Sequence, residues 1–331
     1  MRGIIQAGYN LKSNLVVECA NGAYRDHHAQ CTFLSGGLDT APRSGREPVG
    51  ARRPAVGAGV RASVRSSLLD HQGWDEIMHI LVTNDDGVQA PGLLALAQEM
   101  RKLGKVTVFA PDRNWSASGH VKTMERPLRV IETLLADGST AFASDGAPSD
   151  CVAIPLLGFI KEDIDLVVSG INPYANIGHD ITYSGTVTAA MEAVITGVKG
   201  IAVSLNSPEG HRGPLDYSTA AIVARRVAEK VIEKGLPKDV VLNVNVPYRL
   251  EDELAGYMVT RQGLRIYRDE LDSRIDPRGK PYFWIGGEAP TGVFEDGTDF
   301  GALEDGYVSI TPLHLDLTSY KAMDVLRKWE F

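Results

Sequence analysis

The stretch HILVTNDDGVQAPGLLALAQEMRKLGKVTVFAP, residues 79 to 111, decides the fold. It opens on HILVT, an unbroken apolar run of strand length that stops at the polar cluster Asn84-Asp85-Asp86-Gly87. Pro91 suits the first turn of a helix, and GLLALAQEMRKLG carries apolar residues at helical spacing until Gly104. KVTVFAP is the next strand. Downstream the alternation continues with DLVVSG, the helix-like TVTAAMEAVITG, GIAVSL, the amphipathic STAAIVARRVAEKVIEKG and VVLNVNVP. Apolar strands alternating with helices predict a doubly wound α/β fold over 78–247, with a mostly parallel, Rossmann-like sheet covered on both faces. From 248 to 331 the pattern changes. GYMVTRQG, PYFWIGG and GYVSITPL are short strands between Gly, Pro and Asp turns, and LTSYKAMDVLRKWEF closes the chain as a helix. This predicts a hairpin-rich C-terminal extension of the kind that makes oligomer contacts. No internal repeat is visible.

Residues 1–77 are of another composition. They carry a charge of +2 against -10 for the remainder, within a total of -8, and residues 37–67 are rich in Gly, Ala, Pro, Ser and Arg. Neither helical nor strand periodicity is present, so this stretch is expected to be disordered and dispensable. Gly57-Ala58-Gly59 is not expected to form a dinucleotide loop, because no strand pattern precedes it and no helix pattern follows it in the sequence.

The acidic balance argues against a binder of nucleic-acid polymers, which needs a basic face, but leaves room for a small phosphorylated substrate in a local pocket. The three cysteines, Cys19, Cys31 and Cys151, cannot all pair and show no metal-ligand spacing. They read as free thiols of a cytoplasmic protein. No apolar run is long enough for a membrane span, and the N-terminus lacks the layout of a secretory signal.

In open α/β sheets the ligand lies beyond the carboxyl ends of the strands, so the loops there carry the chemistry. Asn84-Asp85-Asp86-Gly87 sets two carboxylates side by side. They repel unless a cation sits between them or one is protonated, and as hard oxygen ligands they suit Mg²⁺ or Mn²⁺; a helix-capping aspartate beside a solvated one is the plainer alternative. PDRNWSASGH, residues 111–120, offers the Ser116 and Ser118 hydroxyls beside Gly119, or is simply a polar loop. The segment 169–193 holds Asn172 and Asn176, then Ser184-Gly185-Thr186 at a helix start. Free N–H groups there cradle a phosphate, or the hydroxyls merely cap the helix. Asp145-Gly146, ahead of Pro148, reads equally well as a capped turn. His120 and His179 fall in ligand-facing loops without a partner at zinc-like spacing.

Taken together, ILVTNDDG (80–87), APDRNWSASGH (110–120), DGAPSDCV (145–152), VVSGIN (167–172), YSGTVTAAMEA (183–193) and GYVSITPL (306–313) resemble the SurE family. These are stationary-phase survival proteins that act as metal-dependent 5′/3′-nucleotidases. The resemblance runs from Met78 to near the C-terminus. It implies that Asp85, Asp86, Ser116 and Asn172 hold one divalent cation, and that Asn84, Asn176, Ser184, Gly185 and Thr186 border the substrate phosphate. It also implies a homodimer or homotetramer with arms exchanged between subunits. Two departures stand out: Tyr174 replaces a usual glycine and Ala147 a usual threonine. Residues 1–77 have no counterpart, and Met78 falls where family members begin, so a non-native extension is expected.

The expected activity is hydrolysis of nucleoside 5′-monophosphates, and of 3′-monophosphates as well, to nucleoside and phosphate. Two carboxylates neutralise the cation, and a bound cation polarises the phosphoryl oxygen and acidifies a water. Asp85 is open to three roles: ligand, general base or nucleophile. A non-enzymatic metal- or nucleotide-binding regulator, or a receiver-like signalling domain, is the alternative. Against it, IAVSLNS lacks the lysine a receiver needs and no GxxxxGK(S/T) loop occurs.

Overall fold

In β1 (His79–Thr83) the side chains alternate between two buried cores, because the strand is covered on both faces. Ile80 and Val82 join the core beneath α1 (Pro91–Met100), while Leu81 joins the opposite one. This computed structural model describes residues 78–330; the expectation for residues 1–77 falls outside the described residues. Pro91 opens α1 at a position whose N–H needs no helical partner. The helix lays Leu93, Leu96, Ala97 and Met100 on the sheet and leads to β2 (Lys105–Pro111), parallel to β1.

Two short strands not expected from the sequence follow, β3 (Val130–Leu134) and β4 (Thr140–Ser144). The chain then forms α2 (Pro148–Ile154), a π-turn at Pro155–Phe159, β5 (Leu166–Asn172), a 3₁₀ turn at Gly178–Thr182 and α3 (Gly185–Ile195). Next come β6 (Lys199–Asn206), α4 (Ser218–Lys234) and β7 (Val240–Pro247). Helices α1 and α4 pack on one face, α2 and α3 on the other.

Past Pro247 the chain does two different things. The strands β8 (Gly256–Val259) and β11 (Tyr307–His314) return to the main sheet, β11 antiparallel to β7 and β8 parallel to β11. Only β9 (Arg265–Ile275) and β10 (Pro281–Gly292) form a separate two-stranded hairpin. Two helices, α5 (Asp299–Glu304) and α6 (Tyr320–Leu326), complete the segment; α6 is shorter than the run expected to be helical. The sheet order is β3-β4-β2-β1-β5-β6-β7-β11-β8. From β4 to β7 all pairs are parallel. The expected doubly wound sheet is thus present, extended by two strands from beyond its expected edge. Because β1 pairs with β2 on one side and β5 on the other, the winding reverses at β1 and β5, and their carboxyl ends flank a crevice.

Candidate active site

The turn after β1 is built so that two carboxylates protrude from a fixed backbone. Asn84, fully buried, donates Nδ2–H to Gly87 O (3.0 Å) and accepts from Gly87 N at Oδ1 (3.2 Å). Gly87 has a φ of +103°, a conformation an L side chain rarely adopts, so the staple and the glycine together set the turn. Its amide thereby holds the turn that carries Asp85 and Asp86.

Asp85 is buried, and the start of α3 closes around it. Thr186 Oγ1 donates to Asp85 Oδ1 at 2.6 Å. A Cβ on Gly185 would lie 2.7 Å from Asp85 Cβ and 2.8 Å from Oδ2, so only glycine lets the helix end come this near. Burial pushes the Asp85 carboxyl above its ordinary range, opposed by the Thr186 hydroxyl and the backbone of Gly185 and Thr186. Asp86 is half-buried. Burial, then the charge of Asp85, push it up to about 7, with Asn114 Nδ2 donating to Oδ1 (3.1 Å) in opposition. None of the groups that chiefly shift either carboxylate is a lysine or arginine. Ser184, at the N-cap of α3, accepts from Val187 N at 3.1 Å. The capping reading of Ser184-Gly185-Thr186 thus has its physical counterpart in the structure. Ser184 caps the helix, and the other two residues face an anionic group, which is Asp85.

The loop 111–120 is pinned at both ends. Trp115 N donates to Asp85 O (2.7 Å) and Ser116 N to Asn114 Oδ1 (2.7 Å), which ties Ser116 to the carboxylate turn. Gly119 N donates to Tyr183 O (3.0 Å), and Gly119 O accepts from Thr188 Oγ1 (3.1 Å). His120 Nε2 meets Glu192 Oε2 at 3.1 Å and Lys122 Nζ meets Glu192 Oε1 at 2.6 Å. Glu192 is buried on α3; its burial is outweighed by these two partners, and its pKa is lowered. Asn172 ends β5 on the same edge and donates Nδ2–H to Tyr174 O (2.6 Å), which fixes the plane of its amide. Asn176 is buried in an amide network. Its N–H donates to Asn245 Oδ1 and its Nδ2 to Ser204 Oγ, both at 2.8 Å, while its carbonyl accepts from Asn243 and Asn245. Its contacts join the loop after β5 to the ends of β6 and β7.

The structure thus joins Asp85, Asp86, Gly185, Thr186 and the Ser116 loop through direct contacts. Asn172 stands at the neighbouring strand end, and Asn84 and Asn176 act as struts. Asp145 and Asp150 are structural: Asp145 pairs with Arg126 (2.8 Å), and Asp150 accepts from Ala147 N (2.9 Å). His179 lends its carbonyl to Thr182 Oγ1. Sequence reasoning missed Asn114 and Glu192. The second had a signal, because an acid inside the apolar helix run TVTAAMEAVI needs a cationic partner to be buried there.

These oxygens suit a divalent cation. Two carboxylates raised by burial, Asp86 also by the charge of Asp85, with no basic side chain among their chief perturbers, form a site whose charge a divalent cation would compensate. Among the described residues no cluster of three or more His, Cys, Asp or Glu side chains suitable for a metal occurs, so the remaining ligands would have to be neutral oxygens.

Residues 80–269 match the family model "Survival protein SurE". The chain is 56% identical over 242 residues to the "5′-nucleotidase SurE" of Herpetosiphon aurantiacus, covering 73% of this chain and 94% of that relative. It is 50% identical over 254 residues to the protein of the same name from Chloroflexus aggregans, covering 77% and 100%. The crystal structure of the SurE protein from Aquifex aeolicus superposes with a TM-score of 0.64 at 42% identity, covering 75% of this chain and 98% of that one. With the carboxylate turn, the crevice and these relatives all in agreement, the chain belongs to the SurE family.

Proposed function

We propose that the protein is a divalent-cation-dependent phosphohydrolase that converts nucleoside 5′-monophosphates, and 3′-monophosphates as well, to nucleoside and phosphate. The observation that carries this reading is the carboxylate pair Asp85–Asp86 at the switch point of the sheet, in a chain half identical to proteins named 5′-nucleotidase. Asp85, Asp86, Ser116 and Asn172 hold the cation, with Mg²⁺ and Mn²⁺ the fitting choices for an all-oxygen set. When bound, the cation supplies charge stabilisation to the phosphoryl oxygens and acidifies a water.

The protein's own groups do the positioning. Thr186 Oγ1 holds Asp85 Oδ1 in place, which suits a fixed ligand better than an attacking nucleophile. Asn114 orients Asp86, and the Ser116 loop hangs from Asp85 O through Trp115 N. The dipole of α3 reaches the phosphate through Ser184, Gly185 and Thr186, and Asn84 and Asn176 act on the phosphate side through the turn and loop they brace. The hairpin β9–β10 exposes Leu271, Ile275, Phe283, Trp284 and Ile285, too much apolar surface for an isolated arm, and we assign it to homodimer or homotetramer contacts. We assign the protein to the cytoplasm, where a buried free thiol such as Cys151 stays reduced. Among the described residues no helix is long and apolar enough to cross a membrane.

The test is phosphate release from AMP with added Mn²⁺ and with chelator. Metal-dependent release is expected; a chain that binds Mn²⁺ yet releases no phosphate from any nucleoside monophosphate would be a binder, not a hydrolase.

A further inference from the structure

Beside the carboxylates, three tyrosines from separate segments lie at the same edge of the sheet. Tyr174 follows Asn172 at the end of β5, Tyr217 precedes α4 and Tyr248 follows β7. Tyr174 is 58% exposed, and its backbone carbonyl takes the hydrogen bond from Asn172 Nδ2, so it is tied to a side chain of the proposed cation site. The ring of Tyr217 packs over the start of α1. A Cβ on Gly92 would lie 3.0 Å from Tyr217 Cε1 and 2.3 Å from Ile171 O, so the glycine makes room for both the ring and the strand end. Tyr248 is anchored by its hydroxyl, which accepts from Asp216 N (3.3 Å), and by edge-on contact with His211, ring centroids 5.4 Å apart. Next to it a cavity of about 440 Å³ opens between Asn206, Ser207, Pro247, Tyr248 and Arg249. Tyr217 is half-buried, and after that burial the groups that push its hydroxyl up to about 12 are Asp86, Tyr174 and Tyr248. Asp86, Tyr174 and Tyr248 each lie within electrostatic reach of the Tyr217 hydroxyl.

We propose that Tyr174, Tyr217 and the cavity beside Tyr248 form the nucleoside subsite, with the exposed ring of Tyr174 stacking on the base. The inference rests on the nucleotidase reading and adds the part of the substrate that this chain grips. An amphipathic aromatic side chain with an exposed face and an anchored neighbour is suited to a flat heterocycle, and stacking tolerates any base because every base has a π-face. A phosphate bound at Asp85 and Asp86 would leave its sugar and base to extend along the sheet edge, toward these rings. Free phosphomonoesters without a base gain nothing from such a surface.

Two measurements decide it. The first is kcat/KM, with Mn²⁺, for AMP and for ribose 5-phosphate in the wild type, Tyr174→Phe and Tyr174→Ala. The wild type should prefer AMP, and the ratio of AMP to ribose 5-phosphate should fall about tenfold in Tyr174→Ala through KM rather than kcat, and recover in Tyr174→Phe. The second is calorimetric titration of adenosine into metal-free protein, where binding should be present in the wild type and weakened in Tyr174→Ala. If AMP is hydrolysed with the same preference in all three proteins and adenosine binding does not change, the subsite is elsewhere while the hydrolase reading stands. If the wild type hydrolyses no nucleotide, that reading fails, and the adenosine titration alone decides the subsite: binding lost in Tyr174→Ala supports it and no binding in the wild type overturns it.

Discussion

Asp85 and Asp86 are adjacent in the chain, yet they meet different surroundings. Asp85 is enclosed by the start of α3, while Asp86 is half-buried and answers mainly to burial and to its neighbour. In the metal-free protein the folded state keeps a proton on Asp86 up to about 7, whereas the unfolded chain releases it near 3.8. Between those values the folded state binds more protons, so stability must fall as pH rises. Thermal melts in chelator should show that decline between about pH 4 and 7, and Asp86→Asn should flatten it. Excess Mn²⁺ should restore stability at pH 7 by mass action in the wild type and far less in the variant; a wild-type melt indifferent to both pH and metal would contradict the electrostatic account. Glu192 makes a second residue-scale case. Lys122→Met leaves its buried carboxylate with His120 alone, whereas Glu192→Gln leaves behind cations that reach water. The first should therefore cost more, about 3 kcal/mol against about 1, since a stranded buried charge is the expensive outcome. Urea unfolding of the two variants checks the order, and the reverse order would mean that the clamp is held by something other than this charge.

At the scale of elements, α3 links the parts of the site. Its first turn grips Asp85, and Glu192 further along meets His120 at the end of the loop that carries Ser116. A methyl group at Gly185 has no room, so Gly185→Ala should displace Asp85 or the helix end. The expected result is about 1–3 kcal/mol of lost stability, with AMP hydrolysis reduced at least tenfold and Mn²⁺ binding weakened in parallel. Normal metal affinity with normal turnover would show that the close packing has no functional weight. Much of this was legible in advance. The strands HILVT and KVTVFAP announce themselves as apolar runs, Pro91 marks its helix, and paired acids at a strand end point to the ligand edge. What was not legible is long-range. The contact of Gly185 with Asp85 joins residues a hundred positions apart, and a glycine at a helix start suits a phosphate or a packed side chain equally well. Short strands such as VIETL and TAFAS have too little periodicity to stand out, and their pairing is fixed only by neighbours in the sheet. The same applies to GYVSITPL, whose antiparallel place beside β7 no local pattern encodes.

On the scale of the whole molecule, two features carry the account: a sheet whose switch point holds the carboxylates, and an arm that projects apolar side chains. Ile285 is 81% exposed and Trp284 53% on β10, a surface that a second copy would cover. Light scattering should find a dimer or tetramer, and Ile285→Asp should shift it toward smaller species; an active wild-type monomer at micromolar concentration would refute the assembly. The central claim, however, is that one cation held between Asp85 and Asp86 drives phosphate release from nucleotides. Its most direct test is AMP hydrolysis under saturating Mn²⁺ by the wild type, Asp85→Asn and Asp86→Asn, each variant nearly the same shape but one charge poorer. The account predicts rapid release by the wild type and a loss of at least a hundredfold, about 2.7 kcal/mol in transition-state stabilisation, in both variants. Both variants hydrolysing AMP as fast as the wild type would mean that the reaction takes place elsewhere.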